Sequence, residues 1–280
     1  MKWKIGDVTV TSVIESQNSE IGGLGFPEAD QDALDAIGWL RPHFLDADGK
    51  MLVNIQSFVV ESCGRRIVVD TCVGNDKDRP LPDWNHRSGP YLQLLVEAGA
   101  AREAVDLVVC THLHIDHVGW NTMLEGERWI PTFPNARYIF ARPEWEHWKD
   151  APEAFGPVIA DSVRPIVDAK LADLVPTDYR ITDELQFEPT FGHTPGHCSI
   201  RIRSRGEEAV ISGDLMHHPC QIAHPEWSPV FDHDRDQSRI TRRAFLERCA
   251  ASGVLVIGSH FAGPGAGRIV RDGDSFRLVV

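Results

Sequence analysis

The 280-residue sequence has no cluster of basic side chains, no Cys-x-x-Cys pair and no apolar run long enough to span a bilayer. Each absence excludes a class of protein. With 28 Lys and Arg against 41 Asp and Glu the formal net charge is -13, so a polyanion is repelled and no nucleic-acid partner is expected. Six cysteines (Cys63, Cys72, Cys110, Cys198, Cys220, Cys249) lie scattered, and in a chain this long they read as small buried hydrophobes, not a disulfide framework. The opening Met1-Lys2-Trp3-Lys4-Ile5-Gly6-Asp7 lacks the apolar centre of a secretory signal. A cytoplasmic protein without a membrane partner is expected. No repeat, linker or low-complexity tract divides the sequence, so residues 1–280 are read as one domain, long enough to bury a substantial core.

What is present is a succession of short apolar segments separated by Gly and Pro. Residues 3–14 alternate as a hairpin around Gly6-Asp7, and 54–61 and 66–70 pair across Cys63-Gly64-Arg65. Helices are expected at 90–98, stopped by Gly99, at 143–148, and at 236–251. Residues 20–50, with Gly22, Gly23, Gly25, Pro27 and Pro42 around a helical stretch from Asp30 to Leu40, form an excursion suited to a substrate loop or to pairing two copies in a homodimer. Residues 151–180 mix helical and loop pieces, as a lid would.

The chemistry concentrates in Thr111-His112-Leu113-His114-Ile115-Asp116-His117-Val118-Gly119. At about 100° per residue, a helix would send His112 and His114 to opposite sides, whereas an extended strand end places them on one face and turns Leu113 and Ile115 into apolar packing. The preceding Leu107-Val108-Val109-Cys110 reads as a buried strand, so the histidines fall just past its carboxyl end. Four metal-capable side chains within six residues, with no Lys or Arg among them, would carry a heavy desolvation cost if buried without a ligand.

Three further segments fit the same purpose. Phe191-Gly192-His193-Thr194-Pro195-Gly196-His197 is a Gly/Pro turn around two histidines; Ala209-Val210-Ile211-Ser212-Gly213-Asp214 is a strand ending in a carboxylate; Val254 to Ile257 is a strand that leads to His260. Together they offer His112, His114, Asp116, His117, His193, Asp214 and His260. Five imidazoles and two carboxylates suit zinc, with manganese, iron or cobalt as further candidates. Seven ligands exceed one tetrahedral ion and match two divalent ions if one carboxylate bridges. No thiolate is needed, so a closed structural Cys-type zinc site is not expected.

The series His112-x-His114-x-Asp116-His117, then His193, Asp214 and His260, resembles the metallo-β-lactamase superfamily. The resemblance implies an α/β fold, a four-layered αβ/βα sandwich with its site at one edge of two facing sheets. It further implies that His112, His114 and His193 hold one ion, that Asp116, His117 and His260 hold the other, and that Asp214 bridges. Within the superfamily the chain looks most like the branch of N-acyl-homoserine lactonases and methyl parathion hydrolase. Those lactonases carry a tyrosine three residues after the bridging aspartate. Here His217 stands at that position, which moves the resemblance towards methyl parathion hydrolase, as does the stretch from His217 to Asp236 with its following helix.

The expected activity is hydrolysis of a small neutral ester or lactone, with a hydroxide between two zinc ions as nucleophile. Asp116 or Asp214 would pass a proton to the leaving oxygen, and His217 is a second candidate for that role or for an oxyanion donor. His197 is a candidate to orient a ligand. Trp120, Trp227 and Phe261 would line a mostly apolar pocket. The same site supports two alternatives: phosphotriesterase action on organophosphorus compounds, and redox chemistry at iron.

Overall fold

Alternating apolar residues build two sheets that face each other. The structure, a computed structural model, describes residues 1–18, 25–151 and 156–280. In the first sheet β1 (Lys2–Ile5), β2 (Val8–Asn18), β3 (Val53–Ser62), β4 (Arg65–Val69), β5 (Leu107–Val109), β8 (Arg137–Ala141) and β9 (Ala172–Val175) lie side by side in that order. Strands β1 to β4 pair antiparallel, and β4, β5, β8 and β9 run parallel. The second sheet places β10 (Leu185–Pro189), β11 (Cys198–Ser204), β12 (Glu207–Ile211), β13 (Leu255–Ile257), β14 (Ala266–Asp272) and β15 (Ser275–Val279) in sequence order, with only β12 and β13 parallel. A separate ribbon joins β6 (Thr122–Glu125) to β7 (Arg128–Pro131).

Both faces of each sheet are buried, which explains why the central strands are apolar throughout instead of alternating with polar residues. Ile67 and Val69 point into the space between the sheets against Phe187, Ile200 and Ile211, whereas Val68 and Val108 point outward. That outer face packs against α2 (Tyr91–Glu97), α3 (Arg142–Trp148) and α4 (Arg164–Asp168) through Tyr91, Leu95, Trp145 and Ile166. The outer face of the second sheet packs Val210, Val256 and Ile269 against α6 (Arg235–Ser252), α5 (Cys220–Ala223) and the 26–51 segment, which contains α1 (Gln31–Ala36). The layers are therefore helix, sheet, sheet, helix, as expected. Each buried Val or Ile stabilises this arrangement by about 1.5–3 kcal/mol relative to exposure.

Two local expectations need correction, and a third falls partly outside the described residues. The helix from Asp30 to Leu40 breaks at Ile37, whose ψ of 73° leaves the helical region, so α1 is followed by a separate turn at Gly38–Leu40. Residues 156–180 are not a cavity lid among the described residues, because Ile159, Val163 and Ile166 sink into the first core. The excursion's opening, including Gly22 and Gly23, lies outside the described residues; its Phe44 and Leu45 pack under α6. No helix among the described residues is long and apolar enough to cross a membrane.

Candidate metal centre

The parallel strands β4, β5, β12 and β13 end on the same side of the sandwich, and the candidate ligands follow three of those ends. The loop after β5 carries His112 to His117, the turn after β12 carries Asp214, and the loop after β13 carries His260. His193 enters from the connection between β10 and β11. Two groups of atoms result. His112, His114, His193 and Asp214 form one, Asp116, His117 and His260 the other, and within each group one ligand atom per residue lies within 4.8 Å of the rest. Asp214 touches both: its Oδ2 lies 3.3 Å from His193 Nε2, and its Oδ1 lies 2.9 Å from His260 Nε2 and 3.2 Å from His117 Nε2.

The motif reaches this geometry by a loop rather than by an extended strand end. β5 stops at Val109, and a turn closed by the His117 amide on the His114 carbonyl at 3.0 Å brings the histidines together. The rings of His112 and His114 stand 4.7 Å apart, so the expected shared side is kept. Leu113 and Ile115 are both buried in the first core as expected, and Ile115 also borders the cavity.

Every histidine tautomer that can be read leaves a lone pair inside. His117 Nδ1–H donates to Asp70 Oδ2 at 2.8 Å, His193 Nδ1–H to Asp232 Oδ1 at 2.8 Å, and His260 Nδ1–H to the Asn54 carbonyl at 2.8 Å. With each δ nitrogen committed as a donor, the ε nitrogen carries a lone pair in the neutral ring. The ε nitrogens of His117 and His260 then face each other at 3.3 Å, an arrangement that needs a positive charge beside it. His112 Nε2 and Asp214 Oδ1 are buried without a hydrogen-bond partner. Orphaned buried atoms of this kind, all nitrogen or carboxylate oxygen, fit divalent cations of the zinc type.

Electrostatics follow from the same crowding. Burial pulls the imidazole pKa values of His112 and His114 well below the ordinary value, helped by neighbouring imidazoles. Burial also opposes charge on His117, but Asp214, Asp116 and Asp70 outweigh it and hold its pKa well above the ordinary value, so a proton takes up the His117 lone pair wherever no cation does. For Asp214 burial favours the neutral acid, and four surrounding imidazoles overcome it and keep the carboxylate ionised.

Several supporting residues escaped the sequence reading. Asp70 directly follows β4, and both its oxygens are used by the amide and hydroxyl of Thr111 as well as by His117. Its apolar run followed by an acid repeats the pattern that singled out Asp214, a signal that was present. Glu144 accepts from the amides of Leu113 (3.1 Å) and Gly196 (2.7 Å) and so bridges two ligand loops, and Asp232 lies in a loop without any local signal. His197 is an orienting residue: its Nε2 accepts from the Asp214 amide at 2.8 Å while its Nδ1–H donates to the Thr190 carbonyl at 3.0 Å. Gly213, at φ +56°, is required there, because a Cβ would stand 2.5 Å from that Nε2.

A cavity of about 210 Å³ opens onto the cluster. Phe26, Val53, Ile55, Leu81, Trp84 and Phe231 form its apolar walls; His114, Asp116, Asp214, His217 and His260 form its polar floor. The aromatic residues expected there are elsewhere. Trp120 stacks on Tyr91 at 5.2 Å, Trp227 stacks on His224 at 4.2 Å and Phe261 packs edge-on to Phe44. Their positions next to ligand segments place them beneath the site, in the cores. His217 does reach the cavity, with Nε2 3.2 Å from Asp214 Oδ2 and no hydrogen-bond partner on either ring nitrogen.

Two facing sheets flanked by helices, with a His/Asp cluster at one edge, define a metallohydrolase architecture. The chain belongs to the metallo-beta-lactamase superfamily, which it matches over residues 52–260. A curated N-acyl homoserine lactonase from a Bacillus species is 27% identical over 120 residues, a stretch spanning 43% of this chain and 42% of that relative. Among solved structures, hydrolase AbOPH of the beta lactamase superfamily superposes with a TM-score of 0.82 at 23% identity, covering 99% of this chain and 96% of its own. AidC, a dizinc quorum-quenching lactonase solved with a product, N-hexanoyl-L-homoserine, gives 0.81 at 21% identity, covering 100% and 96%. A probable metal-dependent hydrolase from Staphylococcus aureus gives 0.77 at 18% identity, covering 99% of both chains. At these identities the structural likeness establishes the fold.

Proposed function

We propose that the protein is a binuclear metal-dependent hydrolase of small neutral esters or lactones. One observation carries the reading: a cluster of imidazole and carboxylate ligands opens onto a cavity whose described walls bear no lysine or arginine. A substrate carboxylate or phosphate monoester would find no cationic side chain there, whereas an uncharged ester with an apolar chain would bury its chain against Phe26, Trp84 and Phe231. The likeness to lactonases supports this direction.

His112, His114 and His193 would hold one divalent ion, zinc being the first candidate, and Asp116, His117 and His260 the second, with Asp214 between them. When bound, such ions supply a nucleophile near neutral pH and polarise the substrate oxygen. The chain does the rest. Asp70, Asp232 and the Asn54 carbonyl fix the ring orientations, and His197 holds the Asp214 backbone. Asp116 and His217 line the cavity, which supports a role for either in handing a proton to the leaving oxygen. Gly25 and Phe26 line the cavity, which supports a substrate-side role for the excursion.

A neutral phosphotriester satisfies the same uncharged cavity and is the second reading. A metal-quantified activity screen over lactones, aryl esters, thioesters and phosphotriesters separates them. Turnover of an ester or lactone that is lost in Asp116→Asn, with the fold retained, is expected. Protein holding two equivalents of metal that hydrolyses no ester or lactone would end the first reading, and iron as the bound metal would turn attention to redox chemistry.

A further inference from the structure

Between β4 and α2 the chain runs 21 residues, from Asp70 to Pro90, with only one short turn of regular structure, at Pro82–Trp84. Connections this long inside a compact domain are usually functional and need other means of being held. Two of its side chains, Leu81 and Trp84, form a wall of the cavity. Its two arms are stitched together: the Asp76 amide donates to the Arg87 carbonyl at 2.9 Å, the His86 amide to the Lys77 carbonyl at 2.7 Å and the Arg79 amide to Asn85 Oδ1 at 2.9 Å. Leu81 and Trp84 thus sit at the tip of a closed loop.

The loop is fastened by a buried ionic cluster that touches neither the cavity nor the metal ligands. Arg79 grips Asp161 with both terminal nitrogens, at 2.7 and 2.9 Å. Lys77 Nζ lies 3.5 Å from the same carboxylate, donates to Thr122 Oγ1 at 2.6 Å and to the Asp161 carbonyl at 3.1 Å, and stands 3.5 Å above the Trp129 ring. The side chains of Lys77 and Arg79 are fully buried and that of Asp161 is 4% exposed. Asp161 belongs to a single wide π-turn at Ile159–Val163, a local irregularity that tends to accompany function. Apolar side chains would brace a loop at least as stably, so two buried basic side chains converging on one carboxylate argue for fixed direction rather than for stability alone.

We propose that Lys77, Arg79 and Asp161 are positioning residues that set how tightly the cavity grips the apolar part of its substrate. They do so by holding the loop that carries Leu81 and Trp84. The proposal rests on the cavity being the substrate site, as read above.

Binding of octan-1-ol, an uncharged chain that needs no hydrolysis, tests it by isothermal titration on the metal-loaded protein, with amide exchange of residues 76–87 followed in parallel. Asp161→Asn is expected to weaken octan-1-ol binding at least fivefold and to speed exchange across 76–87, while metal content and kcat for an acetate ester stay within twofold. Arg79→Met, which leaves Lys77 to neutralise Asp161, should give the same changes at smaller amplitude and serves if Asp161→Asn does not fold. Unchanged octan-1-ol binding, weaker binding without faster exchange at 76–87, or a wild-type protein that does not bind octan-1-ol each overturns the proposal. A wild-type protein that binds octan-1-ol but hydrolyses no ester defeats the assigned reaction and leaves the positioning role standing.

Discussion

Asp232 Oδ1 accepts the Nδ1–H of His193 at 2.8 Å across 39 residues of sequence, and it does so from a fully buried position. Its other oxygen accepts from the Ser228 hydroxyl at 2.5 Å and lies 3.6 Å from the Arg242 guanidinium. Burial works against this carboxylate, yet its hydrogen bond to His193 and the charges around it keep it ionised, with its pKa held well below the usual range. Removing it frees the His193 ring to turn and to change tautomer.

Asp232→Ala is therefore expected to weaken metal binding by about 10–100-fold, the usual effect of losing a carboxylate behind a histidine ligand. Competition against a chelator measures it. Unchanged affinity would mean that packing alone fixes the His193 ring. Asp70→Ala should act the same way through His117, because Asp70 holds that ring and the first residue of the motif loop together.

A second expectation concerns two backbones in contact. Gly119 follows the motif, and a Cβ there would stand 1.8 Å from the Val73 carbonyl oxygen. No side-chain rearrangement relieves a clash with backbone. Gly119→Ala should cost more than the about 1–3 kcal/mol typical of overpacking, seen as a lowered urea midpoint or as loss of folded protein. A midpoint within error of wild type would contradict the close crossing of these two loops.

That crossing also marks where sequence reading stops. The strands were legible because apolar β-branched runs such as Ile67 to Val69 and Leu107 to Val109 are buried on both faces and bounded by turns. The seven cluster residues were legible because each follows a strand end or a Gly/Pro turn, and those ends share one edge of the sandwich. The cavity walls were not. Phe26, Trp84 and Phe231 lie on irregular segments with no period, and only long-range packing brings them together. Trp120 stood beside the ligands in sequence, but its indole N–H turns away to donate to Glu15 at 2.7 Å. Glu15 itself sits at a β-bulge between Ile14 and Ser16 that re-aims its side chain towards the Val73 and Gly74 amides, a register shift that alternation cannot reveal.

Stability should fall on acidification through a histidine outside the cluster. His218 Nε2–H donates to the Phe44 carbonyl at 2.8 Å and its Nδ1 accepts from the Cys220 amide at 3.1 Å, so the neutral ring satisfies both neighbours and the charged ring cannot. Burial lowers its pKa from 6.5 to about 4. Above pH 6.5 neither folded nor unfolded chain protonates it. Between pH 6.5 and 4 only the unfolded chain does, so stability is lost as pH falls through that window, by about 3 kcal/mol at most for this group. Urea unfolding of wild type and His218→Gln across pH 7 to 4 isolates the contribution. The wild-type midpoint should drop more steeply; parallel curves would show that His218 does not titrate differently in the two states.

His217 decides between two descriptions of the cavity floor. Its ring lies parallel to that of His260 at 5.8 Å, edge-on to Phe231 at 5.1 Å, and faces the cavity. Burial lowers its pKa against the pull of Asp214, so at neutral pH the ring is uncharged and one nitrogen carries a hydrogen. As a proton or oxyanion donor it would contribute to the chemical step without holding metal, and groups in that role are worth about 100-fold or more in rate. His217→Phe keeps the ring stacking and removes both nitrogens. If His217 acts on the reacting oxygen, kcat falls by about 100-fold or more while two equivalents of metal remain and KM changes little. If it is only part of the wall, KM shifts with the added apolar surface and kcat stays where it was. Rapid-mixing kinetics on metal-saturated protein, with a fast and a slow leaving group compared, distinguishes the two. A loss confined to the slow leaving group marks His217 as a proton donor, because only a poor leaving oxygen needs the proton; an equal loss for both points to the oxyanion.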